Sequence, residues 1–412
     1  MADPRGPVFI SYRRKRLRET DALIHALHDR GVPTWRDVDD LSSEPTEGTI
    51  RAVLNDEKTS GAVLWLTPDV GDSAIIKDVE VPEAVRRYRR DNGFWLIVIL
   101  ADGLDYSDAA DLFADSLGVE DLATWNLIKV ATPWALETDI CQVAVTVLRN
   151  RIAEVSAGSS GSSIPFSVHA KGTLSRTAAD VLTLDWTRYF RAGAPQRAAW
   201  NAMSVAAHDV AAALKQLTPA TTAVQLSGTP SVPSAMLLGS TYSTRDGRSP
   251  AWLQRQPTGD TSKPWRMSES PDASVAEERG WKVASPVYRT TTAGALAVCV
   301  NISDNVAEAF ARSRLETPDW RAVLEISSPA GRNTRADPLT PNEVASLVHL
   351  TIDAIRYTRS QVLGLDSIHF FIAGPAGYAF LLGTYVATLP QITTYEYDTT
   401  SRLYVSAVTL TT

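Results

Sequence analysis

Apolar runs of strand length alternate with amphipathic stretches of helix length through most of this chain. Val8–Ile10 is a short apolar run that breaks at once into Ser11, Tyr12, Arg13 and Arg14, which predicts a buried first strand with a polar C-terminal end. From Glu19 to Arg30 the periodicity turns helical, with Leu23, Ile24 and Leu27 on one face and Gly31 closing the stretch. Val32–Trp35, Ala62–Leu66, Phe94–Leu100 and Ile128–Ala131 predict four further strands, and Lys77–Arg90 and Leu136–Glu154 two further helices. Strands alternating with helices predict an α/β domain with a parallel sheet covered on both faces.

The pattern stops at Ser156-Ala157-Gly158-Ser159-Ser160-Gly161-Ser162-Ser163, where almost no side chain can pack, and this predicts a flexible linker over 156–165. It then restarts. Strands are expected at Val181–Trp186, Ala223–Leu226, Leu296–Ile302, Ala322–Ile326, Ile368–Ile372 and Ile392–Tyr397. Helices are expected at Arg197–Leu217, Val306–Ser313, Asn342–Arg359 and Ala376–Val386, with loops from about Ser240 to Lys282. Two stretches of this second region resemble each other. Val224–Pro230 leads to Met236-Leu237-Leu238-Gly239, and Phe370–Pro375 leads to Phe380-Leu381-Leu382-Gly383. Each is a strand, a small-residue turn with Gly and Pro, and a helix carrying Leu-Leu-Gly. Two fused copies of one α/β unit, facing each other across a pseudo-two-fold, account for this. Each turn puts backbone N–H groups at a helix N-terminus with no side chain in the way, which suits an anion.

Composition narrows the chemistry. The 412 residues are 44% hydrophobic and 21% charged, with a formal net charge of -7, so the footprint of a duplex-binding protein is missing. Two cysteines, Cys141 and Cys299, give neither a metal spacing nor a disulfide framework. The six histidines show no ligand-like cluster, and no metal site is expected. The longest apolar run, Phe94 to Ala101, is too short to span a bilayer, and no secretory leader pattern is seen, so the expected location is the cytoplasm. Gly-x-Gly-x-x-Gly and the Gly-rich loop ending in Lys-Ser/Thr are both lacking, which argues against hydride transfer and NTP hydrolysis.

Three segments near the N-terminus carry candidate chemistry. Val8-Phe9-Ile10-Ser11-Tyr12-Arg13-Arg14 places hydroxyls and cations where open α/β sheets build ligand sites. Gly31–Asp40 ends a strand in Trp35 and opens into a charged loop from Arg36 and Asp37; a flat indole there either stacks on a ligand ring or caps the sheet. Thr67-Pro68-Asp69 precedes Ser73–Ala84, in which Glu80 has apolar neighbours and Glu83 lies one turn on. A carboxylate near a helix N-terminus is also an ordinary dipole-stabilised feature. In this order the segments resemble the boxes of TIR domains, although Ile76-Lys77 stands where that family often has an aromatic residue and Cys. The resemblance implies a flavodoxin-like TIR domain over 1–155 that cleaves NAD as substrate. It implies Glu80 as catalytic residue with Glu83 as the alternative, and Phe9, Ser11, Tyr12, Arg13, Trp35, Asp37 and Lys77 around the substrate. A carboxylate suits that chemistry, because breaking the nicotinamide–ribose bond develops oxocarbenium character that a negative charge stabilises.

The segment from Ile368 through Gly383, with Thr394-Tyr395-Glu396-Tyr397-Asp398, resembles the C-terminal signature of SAVED domains. These are tandem CARF-like Rossmann halves that sense cyclic oligonucleotides in bacterial antiviral signalling. The resemblance spans about Phe166 to Thr412, with halves at about 166–285 and 286–412, and it accounts for the internal repeat. It implies nucleotide contacts at Lys171, Gly228, Thr229, Ser231, Gly374, Pro375, Ala376, Tyr378 and Tyr395. Trp186 is a further aromatic for stacking, and Arg176 and Arg188 are further cations. Together the halves resemble a TIR–SAVED effector of a cyclic-oligonucleotide-based anti-phage system (CBASS). Such an effector binds a cyclic oligonucleotide, cyclic tri-adenylate or another cyclic trinucleotide, assembles into oligomers or filaments, and hydrolyses NAD to nicotinamide and an ADP-ribose product without a cofactor. Duplex DNA and membranes are not expected partners. A non-catalytic, nucleotide-gated TIR scaffold is the alternative of a different class; the ring size of the nucleotide and the linear or cyclic form of the product stay open.

Overall fold

The computed structural model describes residues 1–36, 47–113, 126–130, 137–158, 163–174, 177, 179–242, 248, 250–254, 264–267, 274–288, 294–313, 320–329 and 337–410. Its contacts divide the chain into two units. The first comprises Met1–Gly161, Arg176–Leu184 and Ala212–Thr218, and the second Ser162–Ser175, Asp185–Ala211 and Pro219–Thr412.

The first unit holds β1 (Val8–Ser11), β2 (Thr34–Trp35), β3 (Gly61–Leu66), β4 (Trp95–Leu100) and β5 (Asn126–Lys129). They form a parallel sheet in the order β2-β1-β3-β4-β5. Its helices are α1 (Leu17–Asp29), α2 (Glu47–Asn55), α3 (Val81–Arg90), α4 (Tyr106–Leu112) and α5 (Glu137–Gly158). Every residue of β1, β3 and β4 is buried, as expected of parallel strands covered on both faces. Successive strand residues point to opposite faces. Phe9, Leu64 and Val98 therefore share one face and pack in one core with Ile50 and Leu54 of α2 and Val81, Ala84 and Val85 of α3. Ser11 lies two positions beyond Phe9 on that same face. The strand order reverses direction between β1 and β3, the place where doubly wound sheets open a crevice.

The Gly/Ser tract is shorter as a connection than its composition suggests. Helix α5 runs through Gly158 and the next strand starts at Ser163, so residues 159–162 alone lie between the two elements, outside the described residues. Segment 176–184 belongs to the first unit because of specific bonds. The Arg151 guanidinium, 1% exposed, donates to the carbonyls of Val181 and Gly6 at 2.7 Å each and also to that of Arg5. Thr183 N–H donates to the Gly31 carbonyl at 2.9 Å. Gly31, at φ +82°, has no room for a side chain, since a Cβ would stand 2.8 Å from that of Leu182.

In chain order the later strands are β6 (Ser163–His169), β7 (Leu182–Asp185), β8 (Ala223–Thr229), β9 (Ala251–Trp252), β10 (Lys282–Val283) and β11 (Val287–Tyr288). They are followed by β12 (Gly294–Asn301), β13 (Trp320–Ser327), β14 (Leu365–Ala373), β15 (Ile392–Asp398) and β16 (Leu403–Leu410). The later helices are α6 (Thr187–Phe190), α7 (Arg197–Leu217), α8 (Val232–Ser240), α9 (Ser274–Glu278), α10 (Ala307–Ser313), α11 (Pro341–Gln361) and α12 (Ala376–Gly383). Within the second unit β6, β8 and β9 run parallel in that order, and a larger sheet has the order β10-β13-β12-β14-β15-β16. Strand β6 occupies the sequence assigned to the end of the linker. Strand β16, antiparallel to β15, alternates too weakly to have been read as a strand.

The expected internal repeat is present, with a corrected register. One sequence offset relates Arg197 to Pro341 at the starts of α7 and α11, both 21 residues long. The same offset relates Thr229 to Ala373 at the ends of β8 and β14, and Val232 to Ala376 at the starts of α8 and α12. The hydrogen bonds repeat as well. The Thr229 carbonyl accepts from Ala170 and Lys171 N–H at 3.1 Å each, and the Ala373 carbonyl accepts from Ile302 and Ser303 N–H at 2.9 Å each. Helices α8 and α12 cross reciprocally through their glycines. A Cβ on Gly239 would stand 2.0 Å from the Phe380 carbonyl oxygen, and one on Gly383 would stand 2.3 Å from that of Met236. Such mutual contact is what a two-fold requires. In this register Gly228 and Gly374 are not equivalents. Gly228 lies inside β8 at φ +116°, where a Cβ would collide with the Val168 backbone at 2.1 Å, whereas Gly374 sits in the turn after β14.

Candidate functional site

At the crevice end of the first sheet, Ser11 terminates β1 and its hydroxyl donates to the Glu80 carboxylate. Glu80 is 8% exposed and ends a π-helical turn, Ile76–Glu80, that runs directly into α3. A π turn inside a helix shifts the residues after it around the axis, and such turns recur at functional sites. Here Ile76 and Val79 are buried in the core while Glu80 meets the strand end. Glu83, one turn later, is committed elsewhere. It is 4% exposed and accepts from Arg51, from Arg86 at 2.6 Å and from Asn55 at 3.4 Å. Burial opposes its ionisation, but the bonds from Arg86 and Asn55 and the two guanidinium charges prevail and hold its carboxyl below the ordinary value. Only Glu80 of this pair faces the strand end.

Around it, Arg13 Nε stands 3.6 Å and Lys15 Nζ 3.9 Å from Asp69 Oδ2, and Arg16 pairs with Asp102. Burial opposes the Asp69 charge, yet a 2.6 Å bond from the Thr67 hydroxyl and these cations hold its carboxyl below the ordinary value. Trp35 stacks on Phe9 with ring centroids 5.1 Å apart and planes 15° apart. Phe9 is 2% exposed, so it is a core residue and not a substrate contact; it sets the plane of the half-buried indole beside it. Tyr12 is buried and Lys77 is exposed on the π turn. Asp37 lies outside the described residues. The structure thus brings Ser11, Glu80, Arg13 and Asp69 to the strand-end region of the unit.

In the second unit the two strand ends are Thr229, exposed, with Ser231 capping α8, and Gly374-Pro375-Ala376, half-buried, leading into α12. Ser231 Oγ accepts from Ser234 N–H at 3.3 Å. The Lys171 main chain is tied to Thr229, whose hydroxyl donates to the Lys171 carbonyl at 2.7 Å, and its ammonium donates to Glu396. Glu396 is 2% exposed; burial raises its carboxyl above the ordinary value despite the lysine and the nearby Ser231 hydroxyl. A cavity of about 450 Å3 opens here, and Lys171, Phe190, Arg191, Glu396, Tyr397 and Asp398 are among its walls.

The aromatics picked from sequence for base stacking are not available. Tyr378 is fully buried and bonds Thr351 through its hydroxyl at 2.8 Å. Tyr395 is 5% exposed, stacks on Phe371 at 4.3 Å and bonds His369 at 2.9 Å. Trp186 is fully buried. Gly228 supports the sheet, as described above. Arg176 lies outside the described residues, and Arg188 lies over the Tyr189 ring. The aromatics in the cavity wall are Phe190 and Tyr397, each two positions beyond a residue weighed from sequence, Arg188 and Tyr395. Glu396 stood within a quoted motif, yet a lone Glu between two tyrosines carries no signal of burial beside a lysine 225 positions away.

Among the described residues no group of His, Cys, Asp and Glu is placed to hold a metal, and no helix is long and apolar enough to cross a membrane. Residues 207–410 match the sequence model of the SAVED family, described as the SMODS-associated and fused to various effectors sensor domain. No protein of curated function matches the chain. Among solved structures, similar chains include the Acinetobacter baumannii Cap4 SAVED/CARF-domain containing receptor with the cyclic trinucleotide 3'3'3'-cAAA. The two share 11% identity over 98% of this chain and 100% of that one, with a TM-score of 0.48. The same receptor with 2'3'3'-cAAA gives 11% identity, 80% and 84% coverage and a TM-score of 0.45. A Moraxella osloensis Cap4 SAVED/CARF-domain containing receptor gives 12%, 97% and 100%, and 0.41.

Proposed function

From the premise that residues 207–410 are a SAVED sensor domain, we propose that this chain is a nucleotide-gated effector of the CBASS type. Its second unit binds a cyclic oligonucleotide, most simply a cyclic trinucleotide, and its first unit is a TIR domain that hydrolyses NAD. The reading of the second unit is carried by one observation. Two strand-end turns, related by the reciprocal crossing of α8 and α12 at Gly239 and Gly383, belong to one compact unit, so one ring-shaped ligand with several phosphates can meet both. Backbone N–H groups at helix starts and the Lys171 ammonium are suited to phosphate.

For the first unit the support is the strand order, which is that of flavodoxin-like sheets, together with Glu80 at the switch point. In the proposed reaction the bond from nicotinamide nitrogen to ribose C1′ breaks with its electron pair leaving on the neutral nicotinamide. The Glu80 carboxylate stabilises the positive charge left on the ribose, and water adds at C1′ to give ADP-ribose and a proton. Ser11 fixes the carboxylate that performs this. Ligand-driven assembly is the proposed trigger, raising the local concentration of first units. The test is NAD loss by the full chain across a panel of cyclic di-, tri- and tetranucleotides, with particle mass followed by light scattering. Ligand-dependent NAD loss together with a rise in mass is expected. Full cleavage by a species that stays monomeric would refute the assembly step, and tight nucleotide binding with no NAD loss would favour the scaffold.

A further inference from the structure

The halves of the second unit share a plan of hydrogen bonds, and two departures from it meet in the walls of the 450 Å3 cavity. Parallel pairing sets Trp252 beside Leu226 in one half and Thr394 beside Phe370 in the other, so Gln254 and Glu396, two positions on, are counterparts. Gln254 Oε1 accepts from the N–H of Gly377, in the first turn of α12, at 3.3 Å. The counterpart of Gly377 in α8 is Pro233, which has no N–H to give. Glu396 meets side chains instead, the Lys171 ammonium and the Ser231 hydroxyl. Lys171 is the second departure. Its N–H and that of Ser303 hold matching places, on the Thr229 and Ala373 carbonyls, so one half carries an ammonium where the other carries a hydroxyl. Lys171 is held at both ends: its carbonyl accepts from the Thr229 hydroxyl at 2.7 Å, and its ammonium donates to Glu396. Its side chain is still 51% exposed in the cavity wall, against 3% for Glu396, and Glu396 holds one of the three ammonium donors. Arg191, in the same walls, is exposed and has no hydrogen bond or ion pair among the described residues. Asp398, a further carboxylate there, accepts from the N–H groups of Thr400 and Ser401 at 3.1 and 3.2 Å.

We infer that Glu396 is a positioning residue, which holds the Lys171 ammonium in place for a phosphodiester of the ligand, with Arg191 as the second cation of that subsite. The inference rests on the sensor reading of the second unit. A phosphodiester carries one negative charge and two unesterified oxygens. Lys171 offers it a fixed charge and the two ammonium donors that Glu396 leaves, and Arg191 offers a planar fork of donors. A lysine already held at both ends gives up less side-chain freedom on binding than a loose one. Glu396 itself stays buried behind the ammonium and touches no ligand. Its charge offsets part of the charge that Lys171 presents, so what it contributes is placement and not attraction.

The test is calorimetric binding to the full chain, at two salt concentrations, of whichever of cyclic di-, tri- and tetra-adenylate the wild type binds tightest, with inorganic phosphate as a separate probe. Arg191→Ala, at an exposed position, should weaken ring binding at least about fivefold and make it less sensitive to salt. Lys171→Met should do the same. Glu396→Ala should lose about fivefold or more alone, but less than about twofold when added to Lys171→Met, because its effect runs through the lysine. Glu396→Gln keeps an acceptor for the ammonium and should stay within about threefold of wild type; a larger loss contradicts the placement role, and this variant decides the point if Glu396→Ala does not fold. An equal loss from Glu396→Ala with and without Lys171 makes Glu396 merely structural and overturns the positioning. Unchanged affinity and salt dependence in Arg191→Ala overturn the subsite. Each of these leaves the sensor reading in place. Failure of the wild type to bind any of the three rings, whether or not it binds inorganic phosphate, overturns the sensor reading and the inference together.

Discussion

Each unit buries a glutamate at a strand end, and the two are handled oppositely. Glu80 takes a neutral hydroxyl from Ser11, at a sheet that occurs once. Glu396, near the end of β15, takes a lysine, and burial raises its carboxyl despite that partner and the Ser231 hydroxyl. A hydroxyl donor orients a carboxylate without adding a counter-charge, whereas a lysine partner offsets the charge locally. The contrast is between a carboxylate oriented by a hydroxyl and one paired with a lysine. It also places both in regions where the fold leaves strand ends accessible.

The largest effect is expected where the contrast is removed in the first unit. Glu80→Gln keeps the shape and the Ser11 contact but removes the charge. NAD cleavage should fall by about a hundredfold or more if charge stabilisation supplies ~3 kcal/mol, with nucleotide binding unchanged. Retained cleavage in that variant would put the reaction on another group. Next in size is the dyad itself. Gly239→Val and Gly383→Val each drive a side chain into a facing carbonyl, and each should destabilise the second unit by about 3 kcal/mol or more in denaturant titrations. Near-equal losses sharpen the two-fold. A loss confined to one of them breaks it.

A smaller effect distinguishes Glu83 from Glu80 and Glu396. Glu83→Gln should cost about 1–3 kcal/mol in stability through the weakened Arg51 and Arg86 pairs, with NAD cleavage by the remaining folded protein preserved. Its pH signature follows. The Glu83 carboxyl titrates below its reference value of 4.5, so its stabilisation is complete above that value and is lost as pH falls through the depressed one. Glu396 runs the other way. Its carboxyl is raised, so between 4.5 and the raised value the folded state binds the extra proton and gains stability as pH falls. Acid titrations of the two Gln variants against wild type should therefore differ in sign. The same sign in both would contradict the opposite environments described here.

Much of this was legible in the chain because the pattern is local. The runs at β3 and β4, the periodicity of α1, and the Leu-Leu-Gly helices declared themselves, and the strand-end position of Ser11 followed from Val8–Ile10. What escaped was set by tertiary contact. Strand β6 hides in a Ser-rich start, Ser163-Ile164-Pro165, and is made a strand by its pairing with β8. Helix α2 has few apolar positions, chiefly Ile50 and Leu54, and owes its place to the core they enter. Gly228 and Gly374 look alike in sequence, but one relieves a backbone collision inside a strand and the other does not. Tyr378 and Tyr395 are as aromatic as a stacking platform needs to be, but they are buried against Thr351 and Phe371. That Glu80 meets Ser11 while Glu83 is held by arginines depends on a π turn and on Arg51, neither of which spacing reveals.

The central claim is that binding in the second unit switches on NAD cleavage in the first, and its most direct test is NAD consumption by the full-length chain with and without cyclic tri-adenylate or another ring from the panel. The account predicts little turnover without ligand and a rise of at least about a hundredfold with one of the rings, with Glu80→Gln binding that ring equally well and remaining silent. Turnover that is independent of every ring, or that survives in Glu80→Gln, would contradict it.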